Sequence, residues 1–159
     1  MLHLATVITV SDRSARGERI DASGPIAVAA LRADGWECAD AVIVPDGADS
    51  VEAALRATLA AGARLVVTTG GTGISPRDAT PEGTERVIER ALPGIAEELR
   101  RVGAAKMPTG MLSRGVAGTS GTTLIVNLAG SPGAVTDGIP VILSLARHVV
   151  DQLGGGDHR

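Results

Sequence analysis

The residues best suited to chemistry in this 159-residue chain are a run of glycines and two aspartates. Gly70-Gly71-Thr72-Gly73 is a turn whose bare backbone lets amide N–H groups approach an anion closely and converge on it. The hydroxyls of Thr72 and Ser75 would add donors. Asp46, in Pro45-Asp46-Gly47, and Asp78, just after Arg77, are the carboxylates best placed to face that turn. The chemistry this suggests is phosphate handling. Mg²⁺ is commonly held by one or two carboxylates plus the phosphate oxygens of a nucleoside triphosphate, and it neutralises charge at the attacked phosphorus and the leaving group.

Each of these residues has a plainer reading beside the chemical one. Gly-Gly-Thr-Gly is also an ordinary tight turn, Asp46 also suits the turn Pro-Asp-Gly, and Asp78 also suits a pairing with Arg77 or a backbone amide. The glycine run is not a Walker loop, because no Gly-Lys-Ser/Thr follows, and it misses the dinucleotide fingerprint because Pro76 stands where the last glycine belongs. Ser131-Pro132 reads as a helix cap, and a helix start is also an anion site. Arg13, Arg77 and Arg114 are either phosphate clamps or solvated charges. His3, His148 and His158 have no metal-ligand spacing, and Ser11 and Ser113 have no evident base, which argues against a serine hydrolase. Cys38 is alone, so no disulfide forms within one chain.

The elements that position these residues follow from hydrophobic patterning. LATVITV within 1–10 reads as a buried strand, and the polar run from Ser11 to Asp21 as a loop. Ser23 caps a helix reaching about residue 34, where Gly35 stops it. Residues 36–44 read as one strand ended by Pro45. Ser50 caps a helix with Val51, Ala54, Leu55, Thr58 and Leu59 on one face, terminated by Gly62. Residues 65–69 are apolar on both faces, as a central parallel strand requires. Thr80-Pro81 starts a helix extending through Val87, Ile88, Ala91 and Leu92, and Pro93-Gly94 separates it from another over about 95–104. Residues 106–121 read as irregular structure or a short ribbon, and 123–128 as a strand. A single last helix carries Ile142, Leu145, Ala146, Val149, Val150 and Leu153 on one face and ends at Gly154.

Strands alternating with helices predict a mainly parallel sheet covered on both faces, an α/β fold, with ligands beyond the carboxyl ends of the strands. Ser11-Asp12-Arg13, Asp46, the glycine run and Gly130-Ser131 all follow predicted strands, so they should share one edge. The expectation is one domain over 1–153 with a flexible tail over 154–159. With 44% hydrophobic and 21% charged residues, disorder is excluded. A formal net charge of -3 and no Phe or Tyr leave no basic footprint or stacking platform for nucleic acid. No apolar run approaches membrane-spanning length and no signal-like segment opens the chain, so a cytoplasmic location is expected.

Taken in order, the motifs resemble those of the MoaB/Mog family and of the gephyrin G domain. They are ITVSDRSARGERIDASGP (8–25), IVPDG (43–47), TTGGTGISPRDATPE (68–82), GMLSRGVAG (110–118) and TTLIVNLAGSP (122–132), spread over nearly the whole chain. The resemblance implies a three-layer α/β/α domain, a homotrimer, that binds molybdopterin and transfers AMP from Mg-ATP to its terminal phosphate, releasing pyrophosphate. The product would pass to a molybdenum insertion protein. By the same resemblance Asp46 and Asp78 are the functional, Mg²⁺-holding aspartates. Substrate contacts fall on Ser11, Asp12, Gly70, Gly71, Thr72, Gly73, Ser75, Ser113, Asn127, Gly130 and Ser131. Two other readings remain open: a pterin-binding carrier without turnover, and a nucleotide-phosphate hydrolase on a similar fold. One departure is Ala129 in NLAGSP, where the family usually has Pro, which leaves that loop freer.

Overall fold

The computed structural model describes residues 3–156. Its elements are β1 (Leu4–Val10), α1 (Asp12–Ala15), α2 (Gly24–Ala33), β2 (Glu37–Cys38), β3 (Val42–Val44), α3 (Ala48–Ala60), β4 (Leu65–Thr69), α4 (Thr80–Glu85), β5 (Arg90–Ala91) and α5 (Pro93–Lys106). A 3-10 turn at Pro108–Leu112, then β6 (Ala117–Ser120), β7 (Thr123–Leu128), α6 (Pro132–Leu143) and α7 (Ala146–Leu153) complete the order.

The strands form one sheet in the order β2-β1-β4-β7-β6-β5, with β3 also pairing β1. Pairings among β1, β2, β3, β4 and β7 are parallel, while β6 at the far edge pairs antiparallel with both β7 and β5. Strand alternation sends Val7, Val67 and Val126 to one face, where α2, α5, α6 and α7 bury Leu31, Ile95, Ile139 and Val150 against them. Ile8, Val66 and Ile125 face the other way, against Val51 and Leu55 of α3 and against Val87. The result is the expected three-layer α/β/α arrangement. Among the described residues no single helix is long and apolar enough to cross a membrane.

Four local expectations need correction. The strand expected over 36–44 is two, because the chain leaves the edge of β1 between them. Arg32 there donates to the Cys38 carbonyl at 2.8 Å and pairs with Asp40 at 3.1 Å, and β3 rejoins beside Ile8, Thr9 and Val10. The helix begun at Thr80 stops after six residues. Glu89 and Leu92 instead donate backbone hydrogen bonds to Thr119 and Ala117, at 2.8 Å each, making 90–91 an edge strand. A partner strand outweighs helical periodicity there. The single last helix is two, α6 and α7, bent by 48°.

The helix caps also differ from expectation at two of three positions. Ser131 does cap α6, accepting from the Ala134 amide at 3.1 Å. Ser23 makes no side-chain cap on α2; Asp21 accepts from the Ser23 and Gly24 amides at 3.2 and 3.0 Å. Ser50 lies inside α3, which begins at Ala48. The loop expected after β1 holds the one-turn α1, capped by Ser11. Of the tail expected over 154–159, residues 157–159 lie outside the described residues, as do Met1, Leu2 and His158.

Candidate functional site

Thr9 lies opposite Thr69, and Thr69 opposite Leu128, so β1, β4 and β7 end level. The segments that follow them therefore leave the sheet side by side. They enclose a hollow of about 380 Å³, whose lining includes Ser11, Asp46, Gly70, Gly71, Asp78, Gly130 and Ser131. Seven of the expected site residues thus meet at one place.

The glycine turn is shaped by close approach. Gly70 has φ +97°, and a Cβ there would lie 2.3 Å from the Val10 carbonyl oxygen. Gly71 has φ +68°, and its Cβ would lie 2.2 Å from Thr80 Oγ1. Thr80 Oγ1 donates to the Gly70 carbonyl at 2.9 Å, and the Gly70 amide donates to the Leu128 carbonyl at 3.1 Å. The amides of Gly71, Thr72 and Gly73 donate to no protein acceptor among the described residues. Thr72 itself is buried outside the lining of the hollow, and its hydroxyl oxygen accepts from Ser113 Oγ at 3.2 Å. Gly73 and Ser75 are outside the lining, and Ser75 gives its amide to Asp78 Oδ2 at 3.1 Å.

The two aspartates approach the turn from different loops. Asp46 Oδ1 would be 3.1 Å from a Cβ on Gly71, and Asp78 Oδ2 2.9 Å from one on Gly73. Asp46 Oδ2 accepts from the Asp12 amide at 3.0 Å, while the Asp46 amide donates to Asp12 Oδ1 at 3.1 Å. Asp12, expected to touch substrate, is thus occupied, because Arg77 also grips its carboxylate with Nε and Nη2, each at 3.1 Å. That bidentate bond holds the Asp12 carboxyl below its ordinary value. Asp46 goes the other way. Partial withdrawal from water raises its carboxyl, and the charges of Asp12 and Asp78 add to the rise against the Asp12 amide and Arg77.

The raised Asp46 value has a consequence for stability. A carboxyl that holds its proton more tightly folded than unfolded costs stability once ionised, above the folded value, and the cost vanishes in acid where both states are protonated. Asp46→Asn is expected to be more stable than the parent at neutral pH by roughly 0.5 kcal/mol, solvent screening keeping the gain small. The difference should shrink as pH falls below the carboxylate range. Urea melts of both proteins at neutral and acid pH check this.

Ser113 and Asn127 do not reach the hollow; they line a smaller neighbouring cavity behind β7. Asn127 is 3% exposed and fully committed: its Nδ2 donates to Thr68 and Thr84 hydroxyls at 2.9 and 3.0 Å, and its Oδ1 accepts from the Val116 amide at 3.1 Å. It ties β7 to β4, to α4 and to Val116, the residue before β6. Asn127→Ala strips three buried partners at once and is expected to cost about 3 kcal/mol in a denaturant melt.

Arg114 is a brace, donating to the Gly73 and Asp78 carbonyls at 2.9 and 3.0 Å and pairing with Glu82. Arg13 is outside the lining, whereas Arg19 is in it. Thr9, Asp21 and Ser23 were also missed by the motif reading. Asp21 Oδ2 accepts from Thr9 Oγ1 at 2.7 Å, and Ser23 Oγ donates to the Gly130 carbonyl at 2.6 Å, drawing residues 19–23 over the hollow. The signal was Asp-Ala-Ser-Gly ahead of Pro25, an aspartate three residues before a helix start.

Among the described residues no group of three or more His, Cys, Asp and Glu is arranged to hold a metal ion. Two carboxylates beside free amides suit a cation that arrives with phosphate oxygens of its own, the usual habit of Mg²⁺.

Comparison with known proteins gives a consistent picture. Residues 6–148 match the family model described as a probable molybdopterin binding domain. A molybdopterin adenylyltransferase of Pyrococcus furiosus is 37% identical over 148 residues, covering 91% of this chain and 87% of that protein. A molybdenum cofactor biosynthesis bifunctional protein of Synechococcus elongatus is 38% identical over 97% of this chain and 48% of its own length. The chain thus spans about half the length of the bifunctional relatives it matches. The structure of the molybdopterin biosynthesis Mog protein from Mycobacterium ulcerans superposes with a TM-score of 0.90, at 44% identity over 95% of this chain and 99% of that one.

Proposed function

We propose, from the premise that this chain belongs to the molybdopterin-binding domain family of MoaB and Mog proteins, that it is a molybdopterin adenylyltransferase. In this reading it joins AMP from Mg-ATP to the terminal phosphate of molybdopterin. The observation that carries the proposal is the meeting of Asp46, Asp78 and Gly70-Gly71 around one hollow at the carboxyl edge of the sheet.

In this reading a phosphate oxygen of molybdopterin forms a bond to the α-phosphorus of ATP. The bond from that phosphorus to the bridging oxygen breaks, and pyrophosphate leaves with the electron pair. No protein nucleophile is required, in keeping with a hollow that holds no His or Cys. Asp46 and Asp78 would hold Mg²⁺. The ion, when bound, offsets charge on the attacked and departing phosphates. The free Gly71 amide and the start of α6 at Ser131 offer donors to phosphate oxygens. The chain's own contribution is alignment in a fixed polar frame.

Incubating the protein with molybdopterin and Mg-ATP is expected to release pyrophosphate in proportion to the pterin adenylylated. Binding of pterin without pyrophosphate would instead mark a carrier. Nucleotide turnover without pterin would mark a hydrolase. The same proposal includes a homotrimer, delivery of the product to a molybdenum insertion protein, and a cytoplasmic location. A monomer mass by light scattering would remove the trimer from it.

A further inference from the structure

Resting on the reading that Asp46 holds a cation, we propose that Arg77 is the positioning residue that sets the Asp46 carboxylate, acting through Asp12. Two reciprocal bonds join Asp12 and Asp46: the Asp12 amide to Asp46 Oδ2 at 3.0 Å, and the Asp46 amide to Asp12 Oδ1 at 3.1 Å. Whatever immobilises Asp12 therefore immobilises Asp46. Arg77 does so with both arms of its guanidinium, Nε to Asp12 Oδ2 and Nη2 to Asp12 Oδ1. The same Nη2 donates to the Asp46 carbonyl at 3.0 Å, so one planar group binds both loops. Arg77 is also the residue before Asp78, whose Oδ2 is fixed by the Ser75 amide. A single guanidinium thereby links the loop bearing one aspartate to the loop bearing the other.

Energetics separate this role from a structural one. The Arg77 side chain is 64% exposed, and exposed pairs add little to global stability. What the pair supplies is local geometry. A residue that orients a metal ligand from behind typically alters metal affinity 10- to 100-fold when removed. Arg77 has no carboxylate partner other than Asp12 among the described residues. Loss of either member should therefore have the same consequence.

The test needs Arg77→Gln, Asp12→Asn and the double variant. The first readout requires no ligand: residue-resolved amide exchange, in which the Asp12 and Asp46 amides report the reciprocal bonds directly. Both should exchange several-fold faster in either single variant, with no further gain in the double, and the thermal midpoint should stay close to the parent's. The second readout is the Mg²⁺ concentration for half-maximal pyrophosphate release. It should rise about tenfold in both single variants, and Arg77→Lys, which keeps charge but not the fork, should recover part of the loss. Unchanged exchange at Asp46 in Arg77→Gln overturns the proposal. So does a loss of activity in Arg77→Gln that Asp12→Asn does not share, because Arg77 would then act on the substrate phosphates itself. If the unmodified protein releases no pyrophosphate at all, the adenylyltransferase reading fails, and the exchange arm still decides the role of Arg77.

Discussion

Asp78→Asn is expected to keep the fold and bind molybdopterin while losing at least about 100-fold in kcat for adenylylation. The substitution is isosteric, and an Asn oxygen still accepts from the Ser75 amide, which now reaches Asp78 Oδ2 at 3.1 Å. The loop from Ser75 to Asp78 is held further by the Asp78 amide on the Ser75 carbonyl and by Arg114 on the Asp78 carbonyl, both at 3.0 Å. What disappears is one negative charge beside the glycine turn. A cation contributes several kcal/mol of transition-state stabilisation in phosphate transfer, and each 1.36 kcal/mol is tenfold in rate. Losing even about half of that support gives the stated factor. Steady-state kinetics beside a pterin-binding titration distinguish this from a loading defect. Undiminished turnover in the variant would remove Asp78 from the machinery.

Gly70→Ala is expected to cost about 3 kcal/mol of stability and to lower the thermal midpoint by roughly 6–12 °C. The residue sits at φ +97°, where an L side chain is strained by about 1–2 kcal/mol. Its new Cβ would lie 2.3 Å from the Val10 carbonyl oxygen, which belongs to β1 and cannot rotate away. Separating the two backbones also disturbs Gly130, whose own added Cβ would lie 3.0 Å from Gly70 Cα. Gly121→Ala is the control: φ is +56°, yet nothing lies within 4 Å of its added Cβ. It should cost only about 1 kcal/mol. Equal melting losses for the two variants would show that backbone conformation alone, and not crowding between β1 and the turn, dictates glycine at position 70.

The unequal legibility of these features has a physical basis. β1, β4 and β7 were readable because buried parallel strands are short β-branched runs, and the positions following them were readable by counting on from their ends. With Asp46, read after the strand that Pro45 ends, that placed Ser11, Gly70, Gly71, Asp78, Gly130 and Ser131 together without any coordinates. The edges were less legible: 36–44 reads as one strand where there are two, β2 and β3, and β5 reads as helix. β5 is two residues whose backbone partners lie on β6, and nothing local marks them apart from Gly118, where an added Cβ would lie 2.4 Å from the Arg90 carbonyl. Asn127 looked like a substrate contact because it sits in a motif beside Gly130 and Ser131. Its strand position instead points it into the interior, where three partners absorb it.

By itself, then, the order of apolar runs and breakers determined an α/β sheet with its chemistry at one edge, since burial of strands and the reach of a loop are local matters. Tertiary structure alone decided which polar group meets which. Asp46 meets Asp12 across 34 residues, and Arg77 meets Asp12 across 65. Such pairings depend on strand register and on the direction each loop takes on leaving the sheet, and no spacing along the chain encodes either.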